Sequence, residues 1–347
     1  MWGVGRVGRS FLKLLSSHPP LLELGKDLQI NVVGLADSRT AILLENREAL
    51  DQIIAHKVST GCLPAYPGVE FSVTGFQQWL EQARLDVLID SSWSDFESAQ
   101  PALDLYRSAL GSGVAVISAN KPPLVQSLRD LSVLAASRGT WLRYGATIGA
   151  SLPVWDLLAV LSRQESFSKL EMVLNGTTNW IITEMEKRGI DYQEALVEAQ
   201  RLGFAEPDPT RDIMGLDTAA KLLILANSFW KESFAFDDIE IQGITRLTPE
   251  LLKDSRAGGR AAKLVGRLVG GPSAWRLTVG PLFLEREHPL AGLTGTQKGV
   301  YLETISGGHY ALTGGASGPG PTAASMLREL MEILNLPPLR QRESQSL

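Results

Sequence analysis

Apolar positions in this chain fall into short runs whose period shifts between helix-like and strand-like spacing, with polar turns between them. Residues 10–15 carry a helical pattern, and 29–35 predict a buried strand. A strand–helix–strand unit is expected at 85–89, 97–110 and 114–117. Pro122-Pro123 is expected to keep a helix from starting directly after it. A further strand at 170–173 leads into the small polar cluster LNGTTN at 174–179. Asp208 before Pro209 predicts a helix start, with the acid as cap and the proline where no donor is needed. That helix should run to about Asn227. Its residues 222–226 are apolar all round, which predicts burial. A last helix is expected over 324–334, before Pro337-Pro338 and a polar tail at 337–347.

Two places combine such elements with chemistry. Residues 203–221 gather four acids and a lysine around one turn-to-helix junction. Asp217 and Lys221 are four apart, so they share a helix face with the acid N-terminal to the base. A desolvated lysine beside a carboxylate can give or take a proton; the bland alternative is a solvated ion pair at a helix end. The cluster containing Asn175, Gly176 and Thr177 offers amides and hydroxyls to a small polar ligand, or is merely a turn.

The second place is the N-terminus, where Gly3-Val4-Gly5-Arg6-Val7-Gly8 forms a dinucleotide fingerprint ahead of a helical pattern. Asp37 follows the next strand, where an acid can bind ribose hydroxyls, but Arg39 can instead pair with a 2′-phosphate. NAD and NADP therefore both stay open. Ser91 and Ser92 follow a strand's carboxyl end and are either cofactor contacts or turn formers. Only Met1 and Trp2 precede Gly3, so the first strand is essentially missing. Its loss from the middle of a parallel sheet is expected to leave neighbouring strands unpaired. This predicts a truncated product, and it gives weight to a non-catalytic, dehydrogenase-like protein that binds dinucleotide or nothing.

Composition narrows the classes further. The chain has 347 residues, enough for two domains, and no apolar run reaches the roughly 20 residues that span a bilayer. No membrane association is expected. A net charge of −5 without a basic stripe argues against nucleic acid. Cys62 is the only cysteine, and His18, His56, His288 and His309 fall in no ligand spacing, which makes a zinc site unexpected.

Taken together, LNGTTNWIITEM, the Glu206-to-Lys221 segment and Ala119-Asn120-Lys121 resemble the homoserine dehydrogenase family, over nearly the whole chain. The resemblance implies an α/β fold: a Rossmann-type dinucleotide-binding domain at 1–145, completed by 306–336, and a mixed α/β catalytic and dimerisation region at 146–305. It implies a monofunctional enzyme without kinase or regulatory domain, cytoplasmic by default, with a plastid address invisible if the N-terminus is clipped. The implied reaction interconverts L-homoserine and L-aspartate 4-semialdehyde with NAD or NADP. Lys221, Lys121 and Asp217 become the catalytic residues; Glu206 and Asp212 hold the substrate, with Asn175, Gly176 and Thr177 beside them. Gly3, Gly5, Arg6, Val7, Gly8, Asp37, Arg39, Lys57, Ser91, Ser92, Asn120 and Gly318 bind the cofactor. The stretch 144–153 resembles the family's hinge, where carbonyls of Ile148, Ala150 and Leu152 would hold a sodium ion, although Gly145 replaces the usual glutamate. A homodimer through 263–303 is also implied.

Overall fold

Phe11, Leu12 and Leu15 recur at helical spacing, and the helix α1 (Arg6–Ser17) buries them against Met326, Leu327 and Leu330 of the final helix, Pro319–Asn335. The computed structural model describes residues 1–17, 30–44, 50–64, 70–71, 76–271 and 274–335. Gln29 of the expected 29–35 strand, residue 336 and the tail 337–347 lie outside these. The chain divides into two units: Met1–Thr147 with the chain from Gly318 onward, and Ile148–Ser317.

The first unit continues with β1 (Gly34–Ala36), β2 (Ala41–Leu43), α2 (Leu50–Thr60), β3 (Glu70–Phe71), α3 (Phe76–Ala83), β4 (Val87–Asp90), α4 (Ala102–Gly111), β5 (Ala115–Ser118), α5 (Pro122–Ser137) and β6 (Leu142–Arg143). Strands β4, β5 and β6 pair in parallel, whereas β1, β2 and β3 pair antiparallel. The expected gap at the first strand is bridged. Trp2 pairs in parallel with both Ala36 and Asp90, and its backbone exchanges hydrogen bonds with Ile89 and Ser91 (both 2.8 Å). Gly3 N donates to Ala36 O (2.8 Å), so three residues join the two sheets and satisfy the groups that seemed orphaned. The proline pair also behaves differently from expectation. It opens α5, since the first turn of a helix has no use for the missing N–H groups.

The second unit comprises α6 (Val154–Leu161), β7 (Phe167–Val173), α7 (Gly176–Arg188), α8 (Tyr192–Arg201), α9 (Thr210–Ile213), α10 (Leu216–Phe229), β8 (Ile239–Ile241), α11 (Pro249–Ala257), β9 (Arg260–Gly271), β10 (Ala274–Glu285), β11 (Lys298–Thr304) and β12 (His309–Gly314). Its sheet has the order β12-β11-β7-β9-β10-β8 and is antiparallel except between β8 and β10. The final helix, Pro319–Asn335, is α12. Two expectations change here. Pairing of β12 with β11 keeps 306–317 in this unit, so the return to the first unit begins at Gly318. The single helix expected from Asp208 is broken: Gly215 sits at φ +82°, ends the short α9 and lets α10 start afresh. From Thr218 to Ala226 every residue of α10 except Lys221 is buried, as its apolar run predicts.

Candidate active site

Three glycines at the N-terminus divide the work of the fingerprint. Gly3 has φ +91°, and a β-carbon there would collide with the backbone of Ser91 and Ser92. One at Gly8 would strike Gly3 O, so α1 lies hard against the short strand. A β-carbon at Gly5 would meet nothing within 4 Å. That open space stands at the amino end of α1, where free amides and the helix dipole favour a pyrophosphate, so the residues present fit a dinucleotide. Exposed Arg6 and half-buried Val7 begin α1.

The loop after β4 is tied to the protein. Ser91 Oγ donates to Gly3 O (2.7 Å), Ser92 N donates to Asp90 Oδ1 (2.8 Å), and Asn120 Nδ2 donates to Asp90 Oδ2 (3.3 Å) and Ser92 Oγ (3.2 Å). Asp90 is wholly buried; burial pushes its carboxyl up against the opposing bonds from Tyr106, Ser92 and Asn120. Asn120 is therefore an inward hub, while Lys121 stands just before α5, beyond the carboxyl end of β5, without a side-chain capping bond. Asp37 is equally committed. Its Oδ1 accepts from Arg39 N (2.8 Å) and Thr40 N (3.0 Å), and its Oδ2 from Leu63 N (2.8 Å) and Lys57 Nζ (2.6 Å). Lys57 also donates to Gly61 O (2.8 Å), whereas Arg39 is exposed. Burial works against these bonds, but together they hold the Asp37 carboxyl below its ordinary range.

In the second unit the break at Gly215 places Asp217 in the first turn of α10, where the helix dipole favours its negative charge. Lys221, one turn on, donates to Asp217 Oδ2 (2.5 Å) and to Leu174 O at the end of β7 (2.7 Å). Asn175 caps α7 by accepting from Thr178 N (2.9 Å) and turns its amide group the other way, to Asp212 Oδ1 (2.6 Å) and Asp217 Oδ2 (3.1 Å). Burial, then the charge of Asp217, raise the Asp212 carboxyl above its ordinary range, against Asn175, Lys221 and Thr177. Asn175, Asp212, Asp217 and Lys221 are thus one network. Gly176 and Thr177 stand beside it in the first turn of α7, and Thr177 Oγ1 donates to Phe204 O (2.8 Å). Glu206 is exposed on the adjoining loop.

The pattern of the homoserine dehydrogenase family matches residues 153–331. A homoserine dehydrogenase from Methanocaldococcus jannaschii is 33% identical over 96% of this chain and 97% of its own length. The chain belongs to the homoserine dehydrogenase family. An NAD(+)-dependent homoserine dehydrogenase from Pseudomonas canavaninivorans is 26% identical, covering 95% of this chain and 94% of its own. A solved structure of a hyperthermophilic archaeal homoserine dehydrogenase in complex with NADPH superposes with a TM-score of 0.81 at 26% identity, covering 97% of this chain and 98% of that one.

Homoserine dehydrogenases are NAD(P)-dependent oxidoreductases, and one residue beside the acid–lysine network was not legible in the sequence. Lys298, at the start of β11, is buried and donates to Gly149 O (3.0 Å) and Ala316 O (3.4 Å). Burial, aided by the charge of Lys221 and opposed by Asp217, lowers its ammonium to about 8. A lone lysine before an apolar strand looks like any surface lysine, so only the fold reveals it. In the first unit, Gly145 N donates to Glu329 Oε1 of α12 (2.5 Å), and Gly318 precedes α12 at φ +113°. Among the described residues no cluster of His, Cys, Asp or Glu is arranged to hold a metal, and no helix is long and apolar enough to cross a membrane.

Proposed function

We propose that this chain catalyses reversible hydride transfer between L-homoserine and L-aspartate 4-semialdehyde, with the dinucleotide on the first unit and the amino acid on the second. The observation that carries this reading is the joined set Asn175, Asp212, Asp217 and Lys221. When bound, the nicotinamide ring supplies or accepts the hydride at the carbinol carbon. The side chains handle the proton and the orientation. An ammonium has three N–H groups. Asp217 and Leu174 O take two from Lys221, leaving the third to bond the carbinol oxygen and exchange its proton. Lys121 of the first unit is the second candidate for that exchange. Asp212 and Glu206 bring negative charge for the substrate's amino end, and the first-turn amides at Gly176 and Thr177 suit its carboxylate.

Coenzyme choice follows from Asp37. With both oxygens doubly engaged, its carboxylate has no vacant acceptor for ribose hydroxyls, while exposed Arg39 beside it suits a 2′-phosphate. NADP is therefore the preferred coenzyme in this reading. The 148–152 loop suits sodium poorly: residue 145 offers no carboxylate, and Gly149 O already accepts from Lys298 Nζ. The deciding assay is homoserine-dependent reduction of NADP and NAD at alkaline pH, with and without added sodium. The reading expects turnover, a higher kcat/KM for NADP, and no sodium requirement. Dinucleotide binding without homoserine turnover would leave the non-catalytic reading in its place.

A further inference from the structure

Trp93 has the most exposed large apolar side chain among the described residues, at 88%. Its backbone is nonetheless firmly held. Asn120, 1% exposed, donates through Nδ2 to Trp93 O (3.4 Å) and Ser92 Oγ (3.2 Å) and accepts from Ser94 Oγ (2.9 Å). Beneath it, Asp90 accepts from Ser92 N (2.8 Å) and from Tyr106 Oη (2.6 Å). This buried amide shares its two N–H groups among Asp90, Ser92 and Trp93 and so ties the loop above it to the strand ends. The indole therefore stands in water on a rigid support, which forgoes the gain from burying so large a ring.

Its position suggests what covers it. Ser91 and Ser92 pack directly on Gly3, the first glycine of the fingerprint, and Trp93 follows one residue later at the carboxyl end of β4. In open α/β sheets ligands bind at those ends, and two residues after Gly3 a β-carbon at Gly5 would meet nothing within 4 Å. A flat, rigid, electron-rich ring beside a dinucleotide cleft matches one class of ligand group, a planar heteroaromatic ring.

We propose that Trp93 is a stacking platform for one of the two rings, adenine or nicotinamide, of the bound dinucleotide. This rests on the reading that the first unit binds dinucleotide. The test is calorimetric titration of the full chain and of its Trp93→Phe and Trp93→Ala variants with NADP, 2′,5′-ADP and nicotinamide mononucleotide, with solution mass measured on each. Trp93→Ala is expected to weaken NADP binding by about 5- to 100-fold, and Trp93→Phe to stay within about threefold of the wild type. The fragment that shows the same loss names the ring. If the wild type binds NADP and Trp93→Ala binds it equally well, the proposal is overturned. It is also overturned if Trp93→Ala instead lowers the solution mass, because the indole then packs between copies of the chain. Failure of the wild type to bind any dinucleotide would strike the parent reading instead.

Discussion

Lys221 and Lys298 are two buried-side lysines whose surroundings ask different things of them. Lys221 is anchored by an acid and a carbonyl, so its removal should cost the proton-exchange step and little else. Lys221→Ala is expected to lower kcat by about 10²- to 10⁴-fold while the dinucleotide dissociation constant, read by fluorescence titration, stays unchanged. An unaltered kcat would remove Lys221 from the mechanism. Lys298 makes a pH prediction. Its pKa falls from 10.5 to about 8 on folding, so below pH 8 both states keep the proton and the folded state bears the full penalty of burying it. Between 8 and 10.5 the folded state sheds that proton while the unfolded state keeps it, and the penalty fades as pH rises. The stability of the wild type relative to Lys298→Met should therefore climb across this window, by at most about 3 kcal/mol in urea unfolding. A flat difference would mean that Lys298 titrates normally.

At the scale of elements, backbone turns set the chemistry. The kink at Gly215 makes Asp217 a first-turn residue, and a β-carbon there would need a left-handed conformation 3.0 Å from Val279 Cγ1. Gly215→Ala should cost about 1–2 kcal/mol in unfolding free energy and lower kcat as well, because Asp217 and Lys221 shift together. The fingerprint gives a contrast of the opposite kind. Gly5→Ala has room and should leave thermal unfolding unchanged while weakening dinucleotide binding, whereas Gly3→Ala, at φ +91° and against Ser91 and Ser92, should destabilise the fold itself. Equal stability of the two variants would argue against this division. These positions also mark how far the sequence could be read. The fingerprint, the buried run of α10 and the Asp217–Lys221 pair rest on local spacing, which one chain displays. The break at Gly215 depends on a φ angle, and the closed valences of Asp37 and the Lys298 contacts depend in part on residues distant in sequence, such as Leu63 and Gly149, and no periodicity encodes those. The segment around Trp2 shows the same limit, since a count of residues does not reveal the hydrogen bonds that it makes to both neighbouring strands.

For the whole molecule, the second unit carries a sheet whose strands β7, β9 and β11 bring Lys169, Glu171, Arg267, Tyr301 and Glu303 to adjacent register positions. Glu171 is buried yet pairs with Lys169 (3.2 Å), Arg267 (2.9 Å) and His288 (2.9 Å), so charge organises this face of the sheet. Such a fixed, partly buried network offers a self-complementary surface to a twofold copy, because opposite charges already alternate across it. The homodimer implied through 263–303 is then expected to run through this sheet, and light scattering should give twice the 37.7 kDa of one chain. Arg267→Glu would set two acids against each other at the centre of that face, leaving Glu171 buried without one of its three partners. Both the monomer fold and the pairing should suffer, so the useful comparison is with exposed Arg276→Glu, on β10 next to the edge strand β8 and on the same face, opposite Val269. Loss of the doubled mass in a folded Arg267 variant but not in the Arg276 variant would place the interface over β7, β9 and β11 rather than over the β10–β8 end of this face. A monomer at all concentrations in the wild type would remove dimerisation from the account and leave the charge network as an internal support of the sheet alone.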